Sequence, residues 1–279
     1  MLGHKLVQRL NASGRIVFGA GRGGCGLLAK LGILPTDRCR EGAAAFDYGS
    51  VEKVIDEISP DVIVNAVGAV KQKREGRRPA KAIEVNSVFP HRLAETAAKR
   101  GCRLVTISTD CVFRGDEGMY TEDHTPDADD LYGRSKALGE VTEGNAVTIR
   151  TSMIGREIGP PHGLFEWFLS NRGGRVKGFS NAFFSGFTTL ELADAISAHL
   201  VDDASVRGLY HVSAERISKF ELLCLINEKF GFGIEVEEDG EFKIDRSLDS
   251  SRFRRATGYV PPAWDAMIER MRDDPTQYE

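Results

Sequence analysis

Three runs of branched apolar residues constrain what this chain can become: VIVNAV at 62–67, RLVTIS at 103–108 and AVTIR at 146–150. Each has the length and composition of a strand covered on both faces. Between them lie helical patterns, KAIEVNSVFPHRLAETAAKR at 81–100 and SKALGEV at 135–141. Strand and helix taking turns imply a parallel sheet with helices packed on both sides. Two further pairs follow, LELADAISAHL (190–200) with GLYHVS (208–213), and SKFELLCLINEKF (218–230) with IEVEED. The tail RSLDSSRFRRATGYVPPAWDAMIERM mixes Gly/Pro breakers with one last short helix. The fold class expected is α/β, a doubly wound parallel sheet with a smaller C-terminal lobe. Residues 1–152 and 184–213 would form the sheet domain, and 153–183 and 214–279 the lobe.

Composition narrows the function classes. The chain has 279 residues, 41% of them apolar, and a net charge of −4. No broad basic field points to nucleic acid. No apolar run reaches the roughly 18 residues of a membrane span. The start, MLGHKLVQRLNASGR, lacks the apolar stretch and cleavage site of a secretory leader. The five cysteines (Cys25, Cys39, Cys102, Cys111, Cys224) are scattered, with no C-x-x-C pair, so no metal site is expected. They read as small, reduced thiols of a cytoplasmic protein.

Chemistry concentrates in two places. Tyr132 and Lys136 form a Y-x-x-x-K pair, and on a helix such residues share one face. An ammonium beside the phenol would favour the phenolate and lower the tyrosine pKa. A tyrosine so placed can pass a proton to or from a carbonyl oxygen while hydride moves at the carbon. The stretch ISTDCVFRG (107–115) begins at the carboxyl end of an expected strand, where open α/β sheets bind ligands. There the Ser108 and Thr109 hydroxyls could hold a substrate carbonyl. Thr109, Tyr132 and Lys136 together are a three-part constellation, far more specific than the pair alone.

With these motifs the chain resembles the extended short-chain dehydrogenase/reductases, and most closely the dTDP-4-dehydrorhamnose reductase branch. The resemblance rests on DVIVNAVG (61–68), Val85-Asn86, STDCVF (108–113), YGRSK (132–136), RTSMIG (150–155), TTLELADAI (188–196), GLYHVSAE (208–215) and TGYVPPAW (257–264). It implies a Rossmann-like fold in which Tyr132 is the proton donor. Lys136 would bind the nicotinamide ribose and tune the tyrosine, and Thr109 would position the sugar's C4 carbonyl with Ser108 beside it. Ala66, Val67 and Gly68, after the strand of the NAVG type, would lie against the cofactor. Where the branch carries an aromatic after its RTS, this chain has Met153, which leaves the sugar open.

The glycines raise a register question. In RIVFGAGRGGCG (15–26), Gly19, Gly21 and Gly24 satisfy G-x-G-x-x-G after an apolar run. Taken alone, this could be the phosphate loop of a dinucleotide site, with GAAAFD (42–47) as the next strand and Asp47 as ribose ligand. The family register places Met1–Leu6 at the end of the family's own glycine loop instead. Gly3 is then its last glycine, Leu6, Val7 and Leu10 face inward, and RIVF is the second strand. This reading is favoured, because it leaves MLGHKLVQRL explained. Under it Arg22 stands where an arginine suits the 2′-phosphate of NADP, and Asp47 lies near the adenine. The central first strand is then missing from the chain. Its absence should leave a gap of roughly 9–10 Å, or force its neighbours together. A start site placed too late, or a true loss of cofactor binding, would each explain the short N-terminus, and the first is preferred.

The resemblance thus implies a cytoplasmic reductase of a nucleotide-linked 4-keto-6-deoxyhexose, using NADP (NADPH) with NAD as the alternative. It would serve deoxysugar and surface-polysaccharide biosynthesis. Its partner is a nucleotide sugar, not nucleic acid or membrane, and a homodimer is left open. The alternative is a non-catalytic binding protein resembling the regulatory subunit of methionine adenosyltransferase.

Overall fold

The structure is a computed structural model describing residues 1–23, 25–71, 74–159 and 161–278. Its first half runs α1 (Leu2–Ala12), β1 (Gly19–Gly21), α2 (Cys25–Lys30), β2 (Cys39–Glu41), α3 (Tyr48–Ile58), β3 (Val62–Asn65), α4 (Pro79–Ile83), α5 (Phe89–Arg100), β4 (Arg103–Ile107), α6 (Leu131–Ala137) and β5 (Ala146–Arg150). A π-helical turn, Glu84–Val88, joins α4 to α5. The second half runs β6 (Met153–Ile154), α7 (Leu164–Leu169), β7 (Arg175–Phe179), β8 (Ala182–Phe184), β9 (Phe187–Thr188), α8 (Thr189–His199), β10 (Gly208–His211), β11 (Ile217–Ser218), α9 (Lys219–Phe230), β12 (Glu235–Asp239), β13 (Ile244–Asp245), α10 (Ser251–Thr257) and α11 (Trp264–Arg272).

The main sheet has the order β10-β5-β4-β3 and is parallel throughout. Every residue of β4 and β5 is buried. Strand β3 is not the doubly covered strand its composition suggests, since only Asn65 is fully buried. The reason is its position, because no strand pairs with its outer edge. Beyond that edge β1 and β2 form a separate parallel pair, Gly19 opposite Cys39. The sheet is thus interrupted where the family register omits a strand, and a cavity of about 530 Å³ opens there between Ala20–Gly21 and Ile63–Asn65. This is a Rossmann-like α/β fold with a smaller lobe. The lobe carries the three-stranded sheet β11-β8-β13 and the pair β12-β7, with α9 packed on both.

Local expectations shift in instructive ways. The second strand is Gly19–Gly21 rather than RIVF, and Ile16 is 76% exposed. With a partner on one side only, the ladder forms where β2 can reach it. Gly19 and Gly21 therefore lie inside a strand and do not form a phosphate loop, while Gly24 falls outside the described residues. GAAAFD is a loop leading to α3. The tail holds two helices, not one. Gly258, in the left-handed region at φ 70°, ends α10, and two prolines precede α11. Helix α1 buries Leu2, Leu6 and Leu10 in the main core and packs along α8.

The cysteines are not all thiols. Pairing of Gly19 with Cys39 sets Cys39 beside the first residue of α2, and Cys25 and Cys39 are joined in a disulfide with Cα atoms 5.5 Å apart. Sequence spacing hid this, because the two residues meet only through the β1-β2 pairing. Cys102, Cys111 and Cys224 remain free. Denatured protein kept from reductant should therefore titrate three thiols, rising to five on reduction. Reduction should lower stability by about 3 kcal/mol, the expectation for a loop of this length. Five thiols without reductant would show that the bridge does not form.

Candidate active site

The site is built at the carboxyl ends of β4 and β5. Past the strands the ladder continues, with Ser108 N–H donating to the Ile149 carbonyl (2.7 Å) and Asp110 N–H to that of Thr151 (3.1 Å). Thr109 caps the turn that follows. Its hydroxyl accepts from Cys111 N–H at 3.1 Å and donates to the Asp110 carboxylate at 3.0 Å. Asp130 caps α6 by accepting from Gly133 N–H at 2.7 Å. Two glycines then let α6 and its end lie backbone to backbone against their neighbours. A Cβ on Gly133 would stand 2.1 Å from the Cys111 carbonyl oxygen, and one on Gly139 would stand 1.8 Å from that of Asn86. The Y-G-R-S-K spacing thus brings Tyr132 onto the turn that carries Thr109. Asn86, fully buried, ties this assembly to the end of β3 by bonding Ala69 N–H (2.8 Å), the Ala69 carbonyl (3.1 Å) and Ser135 Oγ (3.0 Å).

The helix carrying Tyr132 packs on the turn that Thr109 caps, but the electrostatics differ from the expectation. The Tyr132 phenol is held well above its ordinary pKa, first by burial and then by the neighbouring Cys111. Thr109 acts the other way without reversing the shift. Lys136 does not acidify it, because its ammonium donates to the Ile107 carbonyl at 2.6 Å. Burial lowers Lys136 to about 8, with Glu140 acting in the opposite sense. The phenol is therefore a proton-holding group at neutral pH, which suits a donor.

Sequence reading missed Glu140, one turn beyond Lys136. Its carboxylate accepts from Ser108 Oγ (2.7 Å) and from Arg150 Nε and Nη2 (2.8 and 2.7 Å). Ser108 therefore spends its hydroxyl inside the protein, contrary to the expected substrate contact. Met153, half-buried on β6, packs against the main core. Arg150 also reaches His211 Nε2 (3.3 Å), whose Nδ1 bonds the Tyr120 carbonyl (2.8 Å).

The cavity at the sheet interruption takes in part of the expected cofactor set. Arg22, Val67 and Gly68 line it, whereas Gly3, Asp47, Ala66, Tyr132 and Lys136 do not. Gly3 lies in the first turn of α1 and is exposed, as are Asp47 and Ala66. Phe46, Arg78 and Lys81 line the cavity too, and for the two cations the signal in the chain is the basic stretch KQKREGRRPAK at 71–81. Lys81 stands 4.4 Å from the Phe46 ring centroid and Arg22 6.0 Å from it. The floor is apolar, from Val51, Val54, Ile55, Phe89 and Leu93. On the wall, Asn65 carries a buried amide nitrogen with no hydrogen-bond partner. An orphaned donor, an aromatic face and three cations fit a phosphorylated nucleoside, the adenosine end of a dinucleotide.

Comparison with known proteins bears on the family and the fold. The family model described as RmlD substrate binding domain matches residues 1–276. The beta subunit of methionine adenosyltransferase 2 from Xenopus tropicalis is 26% identical over 239 residues, covering 80% of this chain and 67% of that protein. The spore coat polysaccharide biosynthesis protein SpsK of Bacillus subtilis is 28% identical over 242 residues, covering 81% and 84%. Among solved structures, the dTDP-4-dehydrorhamnose reductase of Bacillus anthracis in complex with NADP aligns with a TM-score of 0.71. It is 24% identical, over 81% of this chain and 85% of that one.

The buried histidine makes the site pH-sensitive. Burial, and then Arg150, lower His211 to about 3, so the folded protein keeps it neutral. The unfolded chain takes up that proton near 6.5, so stability is complete above that pH and is lost as pH falls from 6.5 toward 3. His4 contributes in the same direction, lowered to about 3 by burial. Melting temperatures of His211→Gln and the parent, taken from pH 7 to pH 4, should fall less steeply for the variant. Equal slopes would remove His211 from the acid response.

Proposed function

We propose, for a chain that belongs to the RmlD substrate binding domain family, the NADPH-dependent reduction of the C4 ketone of a nucleotide-linked 4-keto-6-deoxyhexose. The reaction would take place in the cytoplasm, in deoxysugar and surface-polysaccharide biosynthesis. One observation carries the reading: the buried phenol of Tyr132, its pKa raised, stands on the helix packed backbone to backbone against the turn that Thr109 caps at the carboxyl end of β4. The B. subtilis relative's role in spore coat polysaccharide biosynthesis and the B. anthracis structure's NADP support it.

The nicotinamide cofactor, when bound, supplies the hydride for the ketone carbon. Tyr132 donates to the carbonyl oxygen and gives it the proton that completes the alcohol, and Thr109, once its proton is released from Asp110, holds the same oxygen from the other side. Burial keeps that proton on the phenol until the oxygen's developing charge draws it off. Lys136, fixed on the Ile107 carbonyl, is assigned to the nicotinamide ribose. Arg22, Arg78 and Lys81 around Phe46 are assigned to the adenosine 2′-phosphate, the ground for preferring NADP to NAD. Residues 1–152 and 184–213 are assigned to the cofactor and the remainder to the sugar nucleotide, with Met153 at its pocket.

A second reading is a regulatory partner without catalysis. It is favoured by the match to the methionine adenosyltransferase subunit, and by Gly19 and Gly21 lying in a strand rather than a phosphate loop. Incubation with NADPH and dTDP-4-dehydrorhamnose, followed at the reduced-nicotinamide absorbance, separates the two. The reductase consumes NADPH, and Tyr132→Phe slows it on the order of 10²–10⁴-fold with cofactor binding retained. An unchanged rate in the variant would refute the role of Tyr132. Absence of both turnover and calorimetric NADPH binding, in a folded protein, would favour the regulatory reading.

A further inference from the structure

We propose that Lys219 is the lobe's substrate-contacting residue, its ammonium donating hydrogen bonds to hydroxyl oxygens of the sugar held by Thr109 and Tyr132. The assignment rests on the reductase reading above. Lys219 is the first residue of α9, whose start is fixed by a capping box: Ser218 Oγ accepts from Glu221 N–H (3.1 Å) and Glu221 accepts from Ser218 N–H (3.0 Å). Antiparallel pairing of β11 with β8 sets Ile217 opposite Phe184 and Ser218 opposite Phe183. The Lys219 ammonium rests 3.8 Å from the Phe184 ring centroid, a contact that holds a cation without neutralising it.

The ammonium differs from the cations nearest to it in the lobe. Arg216 is engaged by Asp245 at 2.8 Å, and Arg246 donates to the Phe113 carbonyl at 2.8 Å. Lys219 has neither a hydrogen bond nor an ion pair among the described residues. The charged and titratable groups that act on it are Asp110 and Cys111, which directly follow Thr109 and also act on Tyr132. Asp110 is already committed to the Thr109 hydroxyl. Burial lowers Lys219 to about 8, so it is mainly charged at neutral pH. The residue is half-buried, and none of its ammonium donors is spent on a hydrogen bond or ion pair among the described residues.

The lobe holds this cation in register with the catalytic turn. Besides the Arg246 bond, Asp245 N–H donates to the Gly115 carbonyl at 2.8 Å, clamping β13 onto the loop after β4. A lysine with three unspent donors, on a lobe clamped to the loop after β4, offers sites for neutral hydroxyls on a polyhydroxylated ring. Proximity to the residues directly after Thr109 favours contact with the sugar itself rather than with its more distant nucleotide.

Lys219→Met keeps the stem on Phe184 and removes the donors. With NADPH and dTDP-4-dehydrorhamnose, the variant should raise KM for the sugar nucleotide about 10–100-fold, the loss expected for hydrogen bonds from a charged donor. The kcat, the KM for NADPH and the melting temperature should stay close to those of the parent, and Lys219→Arg should recover part of the loss. Should the Met variant not fold, Lys219→Gln is measured in its place, with the same KM rise expected. An unchanged sugar-nucleotide KM beside an active parent overturns this assignment and leaves the reductase reading standing. Equal rises in both KM values mark a structural role and overturn it as well. A folded parent that neither reduces nor calorimetrically binds the sugar nucleotide removes both.

Discussion

The buried ion pair between Glu140 and Arg150 organises the working end of this fold. The two side chains are 7% and 3% exposed, and two hydrogen bonds join them. Such a pair is stable only when its remaining donors and acceptors are also met. Here Ser108 fills the carboxylate, while His211 and the face of Phe113 meet the guanidinium. The consequence is geometric. The pair ties the end of α6 to the ends of β4 and β5, and through His211 it reaches β10. Thr109 and Tyr132 are brought together on that frame, so their alignment depends on a charge pair that touches no substrate.

The interrupted sheet is the second determinant. Four parallel strands form a continuous ladder, while β1 and β2 stand apart with a cavity between. The satellite pair has its own small cluster of Val7, Cys25, Ile33 and Leu34, closed by the Cys25–Cys39 bridge. A unit with so little apolar burial gains from a covalent link across its loop. The same interruption leaves Asn65 with an unsatisfied amide and exposes Val67. The features expected of a cofactor surface thus arise where the ladder is incomplete.

Much of this was legible in the chain itself. Alternating apolar runs and helical patterns specified the parallel sheet and the helices around it. The Y-x-x-x-K spacing and the STD turn pointed to Tyr132 and Thr109 as one constellation, because the family resemblance joins the turn after β4 to the helix that carries the pair. The direction of the Tyr132 shift was not legible. It depends on where the Lys136 ammonium turns, and the Ile107 carbonyl captures it. Likewise RIVF has the composition of a strand, yet pairing begins only at Gly19, where β2 lies within reach.

What the sequence alone determined was therefore local: periodicity, capping, the glycines that permit close backbone approach, and the spacing of the reactive residues. Each follows from chemistry between residues near in the chain. Only the tertiary structure decided which distant groups meet: Glu140 with Ser108 and Arg150, and Cys25 with Cys39. Burial and charge at a site are set by those long-range neighbours, and no short-range pattern encodes them.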